Sequence, residues 1–321
     1  MSMRKFNTLS ANPVAMAKPV LSVELCGIKL SNPTILASGI LGETAGSLVR
    51  VAKGGAGAVV TKSISVKPRA GYPNPTLVEC EHGLLNAMGL PNPGIDEFAA
   101  EMKEAVKRAG VPVIGSIFGS DATEYVTLAG RMEEFGAAAL ELNLSCPHAK
   151  GYGSELGSEP GTVEEITGAV RGAVDIPVFV KLTPNISSIV ELAKAAERGG
   201  GDAVVAINTV KGMAIDSRMK KPVLYNKYGG YSGPAIKPIG IRAVYELYDE
   251  LKIPVIGCGG VSNGSDAVEY MLAGARAVEV GSAIYYRGGD ALGEIRWEIE
   301  EYLKKEGIRN AGELVGAAHR A

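Results

Sequence analysis

Short runs in which nearly every side chain is apolar alternate along the chain with longer stretches whose apolar residues recur every three or four positions. The runs at 34–38, 58–63, 112–118, 139–145, 177–183, 203–209, 254–260 and 277–283 are apolar on both faces, as parallel strands covered on two sides must be. The stretches at 45–53, 95–108, 122–135, 163–174, 186–198, 238–251, 265–273 and 291–305 carry the helical period. Glycine closes several helices just before the next strand, as in Gly199-Gly200-Gly201 and Gly274, where a left-handed residue is needed. Eight such repeats in one chain predict a closed (β/α)₈ TIM barrel rather than an open doubly wound sheet. The leading segment 21–30 reads as a β-hairpin that plugs the N-terminal end of the barrel. The expected organisation is a flexible tail over 1–20 and a single barrel domain over 21–321.

A barrel of this kind places its active site at the C-terminal strand ends. Those ends are polar in this chain: Ala37-Ser38-Gly39, Thr61-Lys62-Ser63, Gly115-Ser116, Asn143-Leu144-Ser145-Cys146, Lys181-Leu182-Thr183, Asn208-Thr209, Gly259-Gly260 and Gly281-Ser282. The last two lie where barrels hold phosphate, because small residues let backbone N–H groups approach an anion. Gly257-Cys258-Gly259 does not extend to a dinucleotide fingerprint, since Ser262 stands where a third glycine belongs. Three connections are long, at 64–94, 147–162 and 210–237, and long loops in compact domains are commonly lids. Asn86, Asn143 and Asn208 are expected to converge from separate loops, offering paired donors and acceptors to a planar ring edged with N–H and C=O groups. Cys146 begins a glycine-rich loop, where a thiol is reachable by substrate and can exchange protons; read alone, it is equally a small buried hydrophobe.

Charge narrows the partners. With 33 basic and 35 acidic residues and no basic run, neither nucleic acid nor an anionic membrane is an expected ligand, which leaves small molecules. Cys26, Cys80, Cys146 and Cys258 are widely spaced, so no zinc site or iron–sulfur cluster is expected in this polypeptide and no metal is assigned. The start of the chain has neither a secretory nor a membrane-anchor pattern, and a cytoplasmic location is expected.

Taken in order, these motifs resemble the class 1 dihydroorotate dehydrogenases, the FMN enzymes of pyrimidine biosynthesis. The similarity runs from residue 21 through Asn86-Ala87-Met88-Gly89-Leu90, Asn143-Leu144-Ser145-Cys146-Pro147, Lys181-Leu182-Thr183-Pro184-Asn185, Ile207-Asn208-Thr209 and Ser232-Gly233-Pro234-Ala235 to the tail 313–319. The resemblance implies that Lys62, Asn86, Met88, Gly89, Leu90, Asn143, Asn208 and Thr209 surround dihydroorotate or orotate. It implies that Ala37, Ser38, Lys62, Ser63, Ser116, Asn143, Lys181, Ile207, Gly233, Gly259, Gly260, Gly281 and Ser282 hold one FMN per chain. Cys146 would take the C5 proton while C6 delivers hydride to the flavin, with Lys62 beside both ligands and Lys181 offsetting the charge of the reduced ring. A cysteine base marks class 1, since class 2 enzymes use serine there and carry a membrane helix. Two positions depart from the family: His148 replaces the asparagine after Cys-Pro, and Ser116 replaces the asparagine that ends strand 3 in the B subtype.

Residues around 68–69 and 85–87 favour the B subtype, whose catalytic chain pairs with a subunit carrying FAD and a [2Fe–2S] cluster and passes electrons to NAD⁺. A homodimer, or a heterotetramer with that subunit, is the expected assembly. The alternatives are a fumarate-dependent A-type enzyme, a dihydropyrimidine dehydrogenase-like enzyme acting on uracil or thymine, and a tRNA dihydrouridine synthase. A non-enzymatic phosphate-binding barrel is the most distant of them.

Overall fold

The computed structural model describes residues 18–144 and 156–320. Eight strands close a parallel barrel: β1 (Thr34–Leu36), β2 (Ala58–Val60), β3 (Val113–Ile117), β4 (Ala139–Asn143), β5 (Val178–Lys181), β6 (Ala203–Ala206), β7 (Val255–Cys258) and β8 (Ala275–Val280). Each strand pairs with its successor, and β8 returns to β1 through Val278 opposite Thr34 and Val280 opposite Leu36. The (β/α)₈ fold is therefore as the pattern of the sequence predicts.

The helices α1 (Ala45–Lys53), α2 (Ile95–Ala109), α3 (Ala122–Glu134), α4 (Pro160–Arg171), α5 (Ile189–Arg198), α6 (Lys237–Glu250), α7 (Gly264–Leu272), α8 (Ala283–Arg287) and α9 (Ala291–Glu306) surround it. Their starts follow local chemistry. The Thr44 and Asp121 side chains accept from the amides of Ser47 and Glu124, and Asn263 closes a capping box with Asp266. Strands β3 and β4 are buried at every position, so their apolar runs reflect cover by helices outside and by the barrel core inside.

Antiparallel strands Val23–Leu25 and Ile28–Leu30 form the expected hairpin. Val23, Leu25 and Leu30 are buried in the main core, and the thiol of Cys26 at the turn donates to the carbonyl of Asp202, just ahead of β6. The hairpin thus covers the N-terminal barrel end. Of the tail expected over 1–20, residues 1–17 lie outside the described residues, and Val20 pairs with Asn310.

Several boundaries differ from the sequence expectations. The ladders stop one to three residues before the expected strand ends, although amides at several tips, such as those of Ala37, Thr61 and Leu182, still donate to the neighbouring strand. Strand β8 runs over Ala275–Val280, not 277–283, since Ser282 has helical dihedrals and leads into the unforeseen α8. Helix α4 starts earlier than expected, with Pro160 in its first turn, and α5 starts later, after Ser188.

The two long connections after β2 and β6 are not simple loops. Strands Leu77–Cys80, Gly83–Asn86, Val210–Met213 and Tyr228–Ser232 join into a four-stranded antiparallel sheet. Leu85, Ala87 and Leu224 give this sheet a small core of its own. Its central crossing needs glycine: a Cβ on Gly229 would lie 2.3 Å from the Asn86 carbonyl oxygen, and one on Gly83 would lie 2.3 Å from that of Ser232.

Candidate active site

Polar side chains buried in an apolar barrel must find partners, and here they find one another. Lys181, at the end of β5, is 4% exposed, and its Nζ lies 2.5 Å from Glu279 Oε2, 3.4 Å from Glu141 Oε2 and 3.4 Å from Ser38 Oγ. Ser116 Oγ donates to Glu141 Oε1 at 3.2 Å and sits 2.9 Å from Ser63 Oγ. The Asn143 amide donates to Ser63 Oγ at 3.0 Å, and the Asn208 amide donates to Asn143 Oδ1 at 3.5 Å. Asn208 Oδ1 in turn accepts from the Thr209 amide at 2.7 Å. One polar chain therefore crosses the barrel mouth from β8 to the loop after β6.

Lys62 is also buried, at 5% exposure. Its amide donates to Gly42 O at 2.9 Å and its Nζ lies 3.7 Å from Glu43 Oε1. Glu43 is largely solvated, so water screens this ion pair and it adds little stability. Neither lysine reaches out into solvent, as a lysine at a strand edge commonly does.

Of the three asparagines, the structure brings Asn143 and Asn208 into contact and sets Asn86 in the cap sheet, where its amide donates to Gly230 O at 3.3 Å. Met88, Gly89 and Leu90 follow that strand in a turn whose Gly89 and Leu90 have φ of 75° and 57°. Asn92, which the sequence reading passed over, anchors this turn: its amide donates to Leu90 O and its Oδ1 accepts from the amide of Gly94.

Ala37 and Ile207 are buried at their strand tips, with amides donating to Val280 O at 3.0 Å and Cys258 O at 2.7 Å. Gly233, Gly259 and Gly260 adopt φ of 108°, 117° and 74°, in which other residues are strained. A Cβ on Gly281 would have Ala37 Cβ as its nearest neighbour, at 3.5 Å. Pro234, Ser262 and Ala283, which follow Gly233, Gly260 and Ser282 closely in the chain, line one cleft together with Cys80 and Tyr286. Cys146 and His148 lie outside the described residues, as does the glycine-rich start of their loop.

Glu141 and Glu279 are the residues that the sequence reading missed. The signal was present, since each is the lone acid of a mostly apolar strand and is buried there. Burial pushes the Glu279 carboxyl up to about 8, with the Glu141 charge adding to it and Lys181 opposing. Burial also works against the Glu141 carboxylate, but Lys181 and hydrogen bonds from Glu279 and Ser38 outweigh it, so Glu141 titrates below the usual range. The amine's shorter contact is to Glu279, yet Glu141 is the acid that stays ionised, because the Lys181 charge and hydrogen bonds from Glu279 and Ser38 act on it together. Burial acts to lower the Lys181 amine, and the two carboxylates overcome it and raise it. Burial pushes the Cys258 thiol up, so it is a neutral neighbour.

A family model for Dihydroorotate dehydrogenase matches residues 20–303 of this chain. The chain belongs to the dihydroorotate dehydrogenase family. It is 52% identical over 307 residues to the dihydroorotate dehydrogenase B (NAD⁺) catalytic subunit of Methanocaldococcus jannaschii, covering 95% of this chain and 100% of that protein. It is 54% identical over 303 residues to the protein of the same description from Pyrococcus horikoshii, covering 94% and 99%. The counterpart in Thermoplasma acidophilum is 50% identical over 300 residues, covering 94% and 99%.

The family is flavin-dependent, and the barrel mouth suits a flavin nucleotide. Positive φ at Gly233, Gly259 and Gly260 gives the turns at the β7 tip a backbone of the kind that can present amides to a phosphate. The buried lysines, hydroxyls and amides supply donors for a polar ring that the apolar strands alone could not satisfy. No helix among the described residues is long and apolar enough to cross a membrane.

Proposed function

We propose that this chain oxidises dihydroorotate to orotate in pyrimidine biosynthesis, with one FMN at the barrel mouth and a separate electron-transfer subunit that passes electrons to NAD⁺. The single observation that carries the reading is the buried chain of Lys181, Ser116, Ser63, Asn143 and Asn208 at the end where the family places its chemistry. Bound flavin would supply the two-electron acceptor that no side chain provides.

The protein's own groups would do the rest. Lys62 would pair with the substrate carboxylate and with the cofactor from its buried place just beyond β2. Asn143 and Asn208, fixed by Ser63, Thr209 and each other, would set the orientation of the pyrimidine ring, with Asn86 and the turn through Met88, Gly89 and Leu90 above it. Gly233, Gly259, Gly260, Gly281 and Ser282 would hold the phosphate end, while Ala37, Ser38, Ser63, Ser116, Lys181 and Ile207 would hold the ring end. Cys146, three positions beyond Asn143, would accept the C5 proton. The printed descriptions of the relatives support the B-type assignment and its partner subunit.

The test is an anaerobic absorbance spectrum of the purified chain. The expected result is a yellow flavin band that bleaches with dihydroorotate and does not bleach with dihydrouracil. Acceptor use then follows: the isolated chain should turn over with an artificial dye and fail with NAD⁺ and fumarate. A colourless protein, or efficient fumarate turnover, would overturn the respective part of the assignment.

A further inference from the structure

Lys181 is the natural counter-charge for a cofactor that becomes negative on reduction, but the structure shows that amine already engaged. Glu279 and Glu141 both contact it, at 2.5 and 3.4 Å, in a region where neither carboxylate reaches solvent. With both acids ionised, the cluster carries a net negative charge before any electron arrives. A second negative charge beside it in a dry site is costly unless a positive charge enters too.

We propose that Glu279 is a proton-loading group, taking up a proton from solvent as the bound cofactor is reduced and so freeing the Lys181 charge. The proposal rests on the flavin assignment above. In chemical terms an O–H bond forms at Glu279 as one breaks in water, which leaves hydroxide in the solvent; the electron pair arrives separately, with the hydride from dihydroorotate. Four elements surround Glu279 and limit which group can accept: Glu141 of β4, Lys181 of β5, Cys258 of β7, and Ser38 at the tip of β1. Glu141 is held charged by Lys181 and by its hydrogen-bond donors, Lys181 is already protonated, and Cys258 is already neutral. Glu279 alone has a vacancy for a proton, above the pH of about 8 where it ionises. It acts through Lys181 and is a positioning residue rather than a catalytic one.

The test is electrochemical titration of the flavin in the holoenzyme across pH 6 to 10, reading protons taken up per electron pair from the slope of midpoint potential against pH. A hydride equivalent by itself brings one. The expected wild-type slope corresponds to one proton below pH of about 8 and two above it, while Glu279→Gln gives one throughout. A wild-type slope of one proton at every pH, or a break that survives in Glu279→Gln, would overturn the proposal. Should that variant fail to fold, the reduced-minus-oxidised infrared spectrum of the wild type at high pH decides: a new protonated-carboxyl band supports the uptake, and its absence refutes it. Failure to bind flavin would sink the functional assignment as well, whereas normal bleaching by dihydroorotate with a one-proton slope would sink this inference alone.

Discussion

Replacing Lys181 by Met removes the cation that touches both buried acids and keeps a similar apolar stem, so the loss is mainly electrostatic. Glu279 is already neutral below a pH of about 8, and the burden falls on Glu141. Left ionised and unpaired in the barrel, Glu141 would cost about 3–5 kcal/mol. It can instead take a proton on folding, at about 1.4 kcal/mol for each pH unit above its unfolded value of 4.5. At pH 7 that route costs about 3.4 kcal/mol and at pH 5 about 0.7 kcal/mol, so it is clearly the cheaper one in acid and becomes comparable with the unpaired charge at pH 7. The sign follows: in the variant, Glu141 has a folded value raised above its unfolded one, so stability is retained in acid and lost as pH rises. In the wild type its folded value is lowered, and no such loss occurs over this range. Urea unfolding of both proteins at pH 5, 6 and 7 measures the difference directly. The expected gap widens by about 1.4 kcal/mol per pH unit, whatever constant term the lost packing adds. A gap that does not change with pH would refute the placement of Glu141 as an ionised group dependent on Lys181.

Two further outcomes follow from the same reasoning. Cys146→Ala should retain flavin but slow bleaching by dihydroorotate about 10²- to 10⁴-fold, and the wild-type rate should climb from neutral pH toward about 8.5, the range of an ordinary thiol; a flat single-turnover profile would count against the base. Asn32, 2% exposed, accepts from the amide and hydroxyl of Thr34 and donates to Gly55 O at the start of β1, so Asn32→Ala should lower stability by about 2–4 kcal/mol through stranded polar groups, with the flavin spectrum unchanged.

Most of the site was legible because its residues sit at strand ends, where a polar residue after an apolar run stands out. Lys62, Ser63, Ser116, Asn143 and Lys181 were all found in this way, and the structure brings Ser63, Ser116 and Asn143 within hydrogen-bond reach of one another. The two acids were overlooked because a strand buried on both faces has no alternating pattern to say which side chains point into the barrel. Glu141 and Glu279 lie 138 positions apart, and only barrel closure sets both against the same amine. The cap sheet escaped for a related reason: its strands come from connections more than a hundred residues apart, and their pairing is not encoded in any local period.

The sequence by itself determined the eight repeats, the barrel they close and the polar character of its mouth, since hydrophobic period and helix punctuation are local properties of the chain. Tertiary structure alone decided how the charges are apportioned. Whether an acid holds a proton depends on which groups share its dry surroundings, and that is fixed only when distant strands meet.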